Sequence, residues 1–261
     1  MKQRLTILFL FAALAGHCAA GRITVEFEAV ARTVVGTPFG APVPLDTQVR
    51  GYFAYETDTP DTVADSMVGD FRHAGTSEFC AEFLDFTVTG SGDAVGGTNL
   101  FGSPTFRLFD GAGHPFAGNM RVNGEISESA AFTFAISGTA EDLPTDSMPD
   151  PFRFGGAPTT FSISDASGTL LLRATRLREF APAPVAIAKR GDVVEIEFRS
   201  VKDRVFEIWF GTDLTGWTRI AGAHPSAGLR TTYTDDLAAR HEGGAIPEAG
   251  FYRIAERTGG G

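Results

Sequence analysis

Two cysteines, Cys18 and Cys80, are all that this chain of 261 residues contains. Cys18 falls in an N-terminal segment expected to be removed, so only Cys80 persists and no internal disulfide can form. That excludes a disulfide-stapled small fold. Cys80 reads as a small apolar strand residue rather than a catalytic thiol. Cations are also short, with 22 Lys and Arg against 32 Asp and Glu and a formal charge of -10. Such a surface argues against nucleic acid and anionic lipid as partners. Beyond the first twenty residues no apolar run reaches the roughly 20 residues that a membrane helix needs. No Gly-x-Ser-x-Gly elbow occurs, and the Gly-rich stretches lack the Lys or the strand-to-helix setting of a phosphate loop. No ten-residue stretch combines a helical period with caps.

What is present begins with an export pattern. Lys2 and Arg4 precede the apolar run Leu5 to Leu14, and small residues follow at Ala15, Gly16, Ala19 and Ala20. A basic start, a short apolar run and a small-residue exit mark residues 1–20 as a secretory signal, with Gly21 the first mature residue. The rival is a lipid anchor on Cys18, which His17 disfavours because that processing takes a small residue there. Loss of Lys2 and Arg4 carries the formal charge from -10 to -12.

Phe (23) and Gly (31) are abundant, which favours strands with frequent turns. Ile23 to Ala29 alternates, with Ile23, Val25, Phe27 and Ala29 on one side. Similar runs are Val49–Glu56, Leu84–Thr89, Thr105–Phe109, Ala131–Ser137, Thr159–Ser164 and Gly168–Leu177, with turn chemistry at Gly90–Asp93, Asp110–Gly113 and Asn123–Gly124. Ala181-Pro-Ala-Pro184 then breaks the pattern as a semi-rigid spacer. A second set of strands follows at Val193–Arg199, Val205–Phe210, Trp217–Ala221, Leu229–Thr234 and Phe251–Ala255. The expected organisation is all-β: a sandwich or jelly-roll-like domain over 21–180, a Pro linker at 181–184, a small immunoglobulin- or fibronectin-like sandwich over 185–257, and a disordered tail at 258–261.

Two stretches carry resemblances. Gly51-Tyr-Phe-Ala-Tyr-Glu-Thr-Asp-Thr-Pro-Asp61 with Phe83-Leu-Asp-Phe-Thr-Val-Thr-Gly90 resembles the N-terminal β domains of exported bacterial proteins of the PEP-CTERM-associated type, with Glu56 where their first Asp is common. Phe206-Glu-Ile-Trp-Phe-Gly-Thr-Asp-Leu-Thr-Gly-Trp217, closed by Phe251-Tyr-Arg-Ile254, is similar to a C-terminal β-sandwich module of secreted planctomycete and verrucomicrobial proteins. Both resemblances imply β architecture and export, and neither brings an active site.

The candidate site residues are few. Glycoside hydrolysis needs two carboxyls roughly 5–9 Å apart with one held protonated. Glu26 with Glu28, Glu195 with Glu197, and the group Glu78, Glu82 and Asp85 are the pairs on offer, each also readable as a solvated strand face. The mature histidines, His73, His114, His224 and His241, are solitary and read as exposed loop residues without zinc spacing. Glu56, Asp58, Asp61 and Asp65 put four carboxylates in one loop, the oxygen-rich chemistry that calcium takes; no other cofactor is implied. Alternation places Phe206, Ile208 and Phe210 inward and Trp209 outward beside Glu207, where the indole either stacks on a sugar ring or is covered by the preceding domain.

Phe210-Gly-Thr-Asp-Leu-Thr-Gly-Trp217 reads as a stapled hairpin: Asp213 caps the turn, and Leu214 folds against Trp217 to bury both side chains. These features add up to a secreted, acidic, non-catalytic protein of the cell envelope or extracellular space, working in adhesion, display or scaffolding. Its expected partners are extracellular polysaccharide or envelope components, with no nucleic acid and no membrane span. The rivals are a glycan-binding module with Trp209 as platform and a calcium-stabilised loop, and a divergent glycoside hydrolase.

Overall fold

The computed structural model describes residues 22–56, 68–100, 103–111, 120–137, 159–202, 204–241, 245–247 and 249–257; along 68–77, 91–100, 103–111 and 136–137 it describes the backbone. The chain is all-β, and these residues divide into two compact units that meet in sequence between Phe180 and Ala181.

The first unit contains β1 (Arg22–Gly36), β2 (Gln48–Glu56), β3 (Val68–Phe83), β4 (Phe86–Leu100), β5 (Ser103–Gly111), β6 (Arg121–Val122), β7 (Glu125–Ile126), β8 (Ala131–Ser137), β9 (Thr160–Asp165) and β10 (Gly168–Glu179). Every pairing is antiparallel. β1 pairs with β2, β2 with β3, β3 with β4, β4 with β5, β5 with β8, β8 with β9, β9 with β10, and β10 again with β1. The sequence reading has two facing sheets here; the strands instead form one sheet that closes into a ring. A ring filled by its own side chains gives the same in-out alternation as a sandwich, so the pattern alone does not separate them. Closure demands curvature. Register shifts in β1 at Glu28/Ala29 and Ala31/Thr33, and in β3 between Arg72 and Ser77, bend the longest strands as β-bulges do.

Phenylalanine fills the ring. Phe27, Phe53, Phe79, Phe132, Phe134 and Phe161 are all buried. Phe27 lies 4.6 Å from Phe161 between ring centroids, Phe53 4.6 Å from Phe134, and Phe79 3.7 Å from Phe132. Gly51 is required in this wall: a Cβ there would lie 2.5 Å from Phe27 Cζ and 2.1 Å from the Cys80 carbonyl oxygen. One outward row is charged. Across the strands Glu82, Arg50, Glu28 and Arg176 alternate in sign, opposite partners being about 5 Å apart. The neighbouring outward row is mixed: Glu26 stands opposite Tyr52 and Tyr52 opposite Cys80, and Tyr52 and Cys80 are buried.

The second unit has β11 (Pro184–Arg190), β12 (Val193–Arg199), β13 (Val205–Gly211), β14 (Thr218–Pro225), β15 (Arg230–Asp236), a single helical turn α1 (Leu237–Arg240) and β16 (Phe251–Glu256). They form two three-stranded sheets, β11-β12-β15 and β14-β13-β16. Val194, Ile196 and Phe198 of the first sheet and Phe206, Ile208 and Phe210 of the second are buried, and Phe198 meets Phe206 edge-on at 5.3 Å.

Several expectations change in detail. Gly90–Asp93 is not a turn but lies inside β4, because Phe83, Leu84, Asp85 and Phe86 make the reversal, with Leu84 at φ 48°. The spacer is partly strand: Pro184 opens β11, and the Ala183 carbonyl already accepts a 3.0 Å hydrogen bond from Arg199 N. Pro is tolerated there because β11 is an edge strand. The Asn123–Gly124 turn is as read, with φ of 51° and 88° joining β6 to β7.

Candidate functional site

The carboxylates come first, because a hydrolase would be built on them. Glu26 lies on the outward side of β1 opposite Arg178 of β10. Arg178 donates from Nε to Glu26 Oε2 at 2.8 Å and from Nη2 to Oε1 at 2.7 Å, so both carboxylate oxygens are accepting. Glu28 Oε1 is 4.0 Å from the same guanidinium. The Glu26 hydrogen bonds, more than its charge, raise the Arg178 pKa above the ordinary value against the opposing cost of burial. Glu78 pairs with Arg22 at 2.9 Å, Glu195 with Arg190 at 3.7 Å and Glu197 with Arg230 at 3.0 Å. Glu82 faces outward opposite Arg50, and Asp85 is exposed in the β3–β4 reversal. A general acid must present a proton, and a carboxylate accepting two guanidinium N–H groups presents none.

The loop ligands are placed only in part. Glu56 is the last residue of β2, opposite Arg22 of β1. Asp58, Asp61 and Asp65 lie outside the described residues. Among the described residues no group of three or more His, Cys, Asp or Glu could hold a metal ion. His114 is likewise outside them, and for His73 the backbone alone is described, within β3. His224 and His241 correct the loop expectation. His224 is half-buried on β14, edge-on to Tyr233 at 5.3 Å, with Nε2 3.2 Å from the Thr232 carbonyl oxygen. His241 is half-buried at the end of α1, 6.2 Å from Phe210. Cys80 is fully buried in β3.

Trp209 and Glu207 are on the outward side of β13, both half-buried, and Phe206, Ile208 and Phe210 point inward. Glu207 accepts from Arg219 Nη1 at 2.9 Å, and the same guanidinium stands 5.8 Å from the Trp209 ring centroid. Sequence reasoning paired Trp209 with Glu207 and missed Arg219, which reaches both from β14. Its signal was the alternation of Thr218, Arg219 and Ile220, legible only once the hairpin register is known.

The hairpin turn is half as expected. Asp213 Oδ1 accepts from Thr215 N at 2.8 Å, Thr215 Oγ1 at 2.9 Å and Gly216 N at 2.7 Å, and these bonds, led by Gly216, lower its pKa. The Leu214 part of the staple is overturned: Leu214 is 41% exposed. Trp217 is half-buried instead over β13, its Cε3 3.4 Å from where a Gly211 Cβ would stand, with Nε1 donating to the Leu214 carbonyl at 3.2 Å. Asp213 already holds the turn, so Leu214 gains nothing by folding inward.

One cluster was not foreseen at all. Asp235 faces inward from β15, opposite Val194, and is 3% exposed. Arg240 donates to it twice, from Nε at 3.0 Å and Nη2 at 2.8 Å, and Tyr252 of the other sheet donates its hydroxyl at 2.6 Å. Burial, then the bond to Asp235, pushes the Tyr252 phenol far above its usual range. The Arg240 guanidinium lies 3.8 Å over the Phe210 ring. Every carboxylate oxygen has a donor, so this is a closed tie between the sheets and α1 rather than an open site.

No protein-family model, curated protein or solved structure matches this chain. No helix among the described residues is long and apolar enough to cross a membrane.

Proposed function

We propose that the chain is an exported, non-catalytic protein of the cell envelope or extracellular space that works by adhesion, display or scaffolding. The observation that carries this reading is the bidentate Glu26–Arg178 pair, with Glu28, Glu78, Glu195 and Glu197 each also set against an arginine. Five of the carboxylates nominated for hydrolysis, Glu26, Glu28, Glu78, Glu195 and Glu197, are set against arginines, which supports a holding surface over a reacting one. Export rests on the signal pattern of residues 1–20 and the resemblances to exported proteins. Mass spectrometry of the exported form should find Gly21 at its N-terminus and no lipid; diacylglycerol on Cys18 overturns that processing. Turnover of a polysaccharide that is lost in Glu26→Gln overturns the non-catalytic reading. A calcium site at Glu56, Asp58, Asp61 and Asp65 belongs to the alternative, glycan-binding reading, under which millimolar calcium should raise the melting temperature through preferential binding to the folded chain. Asp58→Asn with Asp61→Asn removes that rise, and a melt indifferent to chelator removes calcium from the account.

A second reading, saccharide binding, is favoured by one observation: Trp209 is turned outward on β13 with charged neighbours beside it.

A further inference from the structure

Both tryptophans of the chain share one face of one sheet. Phe206, Ile208 and Phe210 are buried, so Glu207, Trp209 and Gly211 form the outward row of β13. Directly opposed residues of antiparallel strands project to the same side. Register therefore sets Arg219 of β14 and Arg253 of β16 on either side of Trp209, and Phe251 beside Gly211. Trp217 completes the row, its indole lying over Gly211, where a Cβ would come within 3.4 Å of Cε3. The face thus offers Trp217, Trp209 and Phe251, each half-buried, with the Arg219 guanidinium 5.8 Å from the central ring and Arg253 directly opposite it in register on the other flank.

The charges say which saccharide fits. The chain as a whole carries -10, yet among the described residues this row sets Arg219 and Arg253 against Glu207. Glu207 holds Arg219 in place at 2.9 Å, whereas Arg253 makes no ion pair with any described residue. A neutral sugar would use the rings and give the guanidinium groups only neutral hydroxyl acceptors, about half as strong as a carboxylate. A sugar bearing a carboxylate uses both, its apolar face on an indole and its carboxylate bidentate on an arginine. An acidic chain without such a patch would be repelled by the rest of the surface.

We propose that this face, Trp217, Trp209 and Phe251 with Arg219 and Arg253, binds acidic polysaccharide through carboxylate-bearing sugar rings. The proposal rests on the adhesion reading and names its ligand class. Its test is affinity electrophoresis of the full chain in gels containing polygalacturonate or neutral dextran, at rising salt. Polygalacturonate should retard the protein and dextran should not, with retardation falling as salt rises. Arg253→Gln and Trp209→Ala should each weaken retardation about tenfold or more, loss of one bidentate or stacking contact being of that order. Arg253→Lys should fall between, since it keeps the charge and loses the fork. Circular dichroism melts identify any variant that has merely unfolded, and Arg253→Gln, a surface change, is the variant that decides. Equal retardation by both polymers overturns the acidic ligand and leaves adhesion standing. No retardation by either, or retardation unchanged in Arg253→Gln, overturns the site. Covalent labelling by a glycosidase activity probe overturns the adhesion reading itself.

Discussion

The two units fill their cores with different chemistry. In the barrel the described interior is apolar and aromatic: Phe27, Phe53, Phe79, Phe132, Phe134 and Phe161 pack ring on ring, and ion pairs such as Glu26–Arg178 lie on the outer wall. The smaller sandwich buries Phe198, Phe206 and Phe210 but also draws a charge inside, in Asp235 with Arg240 and Tyr252. The difference follows from size. A small domain buries a lower fraction of its surface and has fewer large side chains to fix two sheets in one register. Asp235, on one sheet, answers Tyr252, on the other, and directional bonds supply the alignment that the barrel gets from closure and ring packing.

The largest expected effect breaks that tie. Asp235→Ala leaves the Arg240 charge, only 18% exposed, without its partner. Breaking such a pair costs about 3–5 kcal/mol, a large part of what holds a small domain. Both tryptophans lie in this unit, so a denaturant melt followed by tryptophan fluorescence reads it directly. An unmoved midpoint would mean the cluster holds nothing. In the barrel, Phe161→Ala should cost about 3–5 kcal/mol in a melt followed by circular dichroism, as a buried ring leaves a cavity. Gly51→Ala should also destabilise, by about 1–3 kcal/mol, through overpacking against Phe27 and Cys80.

The strands and some turns were legible in the sequence, for local reasons, whereas the contrast itself was not. Alternation along Val205–Gly211 gave the inward and outward rows, and Asn123–Gly124 gave its turn, because both follow from period and backbone freedom. Ring closure was not legible, since it depends on β10 returning to β1 across most of the unit. Gly90–Asp93 misled because its glycines serve a curved strand rather than a turn. Asp235 was invisible because Tyr-Thr-Asp-Asp236 reads as a strand end running into solvent, and its partners Arg240 and Tyr252 arrive from α1 and β16. Arg219 and Arg253 needed the register of β13 with two neighbours before they could be set beside Trp209.

Two smaller effects sharpen the comparison through pH. The folded pKa of Tyr252 is raised, so the unfolded phenol loses its proton first, near pH 10. The stabilisation is full below that pH and is lost as pH rises toward the folded pKa. Fluorescence melts should therefore fall above pH 10 and fall less steeply in Tyr252→Phe; parallel slopes would place that loss elsewhere. Asp213 is the opposite case, with its pKa lowered by the turn amides. Its contribution is present above its ordinary value of 3.8 and fades as pH falls through the folded pKa. Asp213→Asn should flatten that acid limb slightly, and Leu214→Ser should leave the melt within about 0.5 kcal/mol, as exposed positions do.

The central claim is that the carboxylates of the barrel wall hold the fold rather than react. A double-mutant cycle between Glu26 and Arg178, using Glu26→Gln and Arg178→Met with stability read by chemical denaturation, tests it most directly. The account predicts a favourable coupling of about 1–3 kcal/mol, the range for charge-assisted hydrogen bonds. A coupling indistinguishable from zero, with Glu26→Gln as stable as the parent, would contradict it.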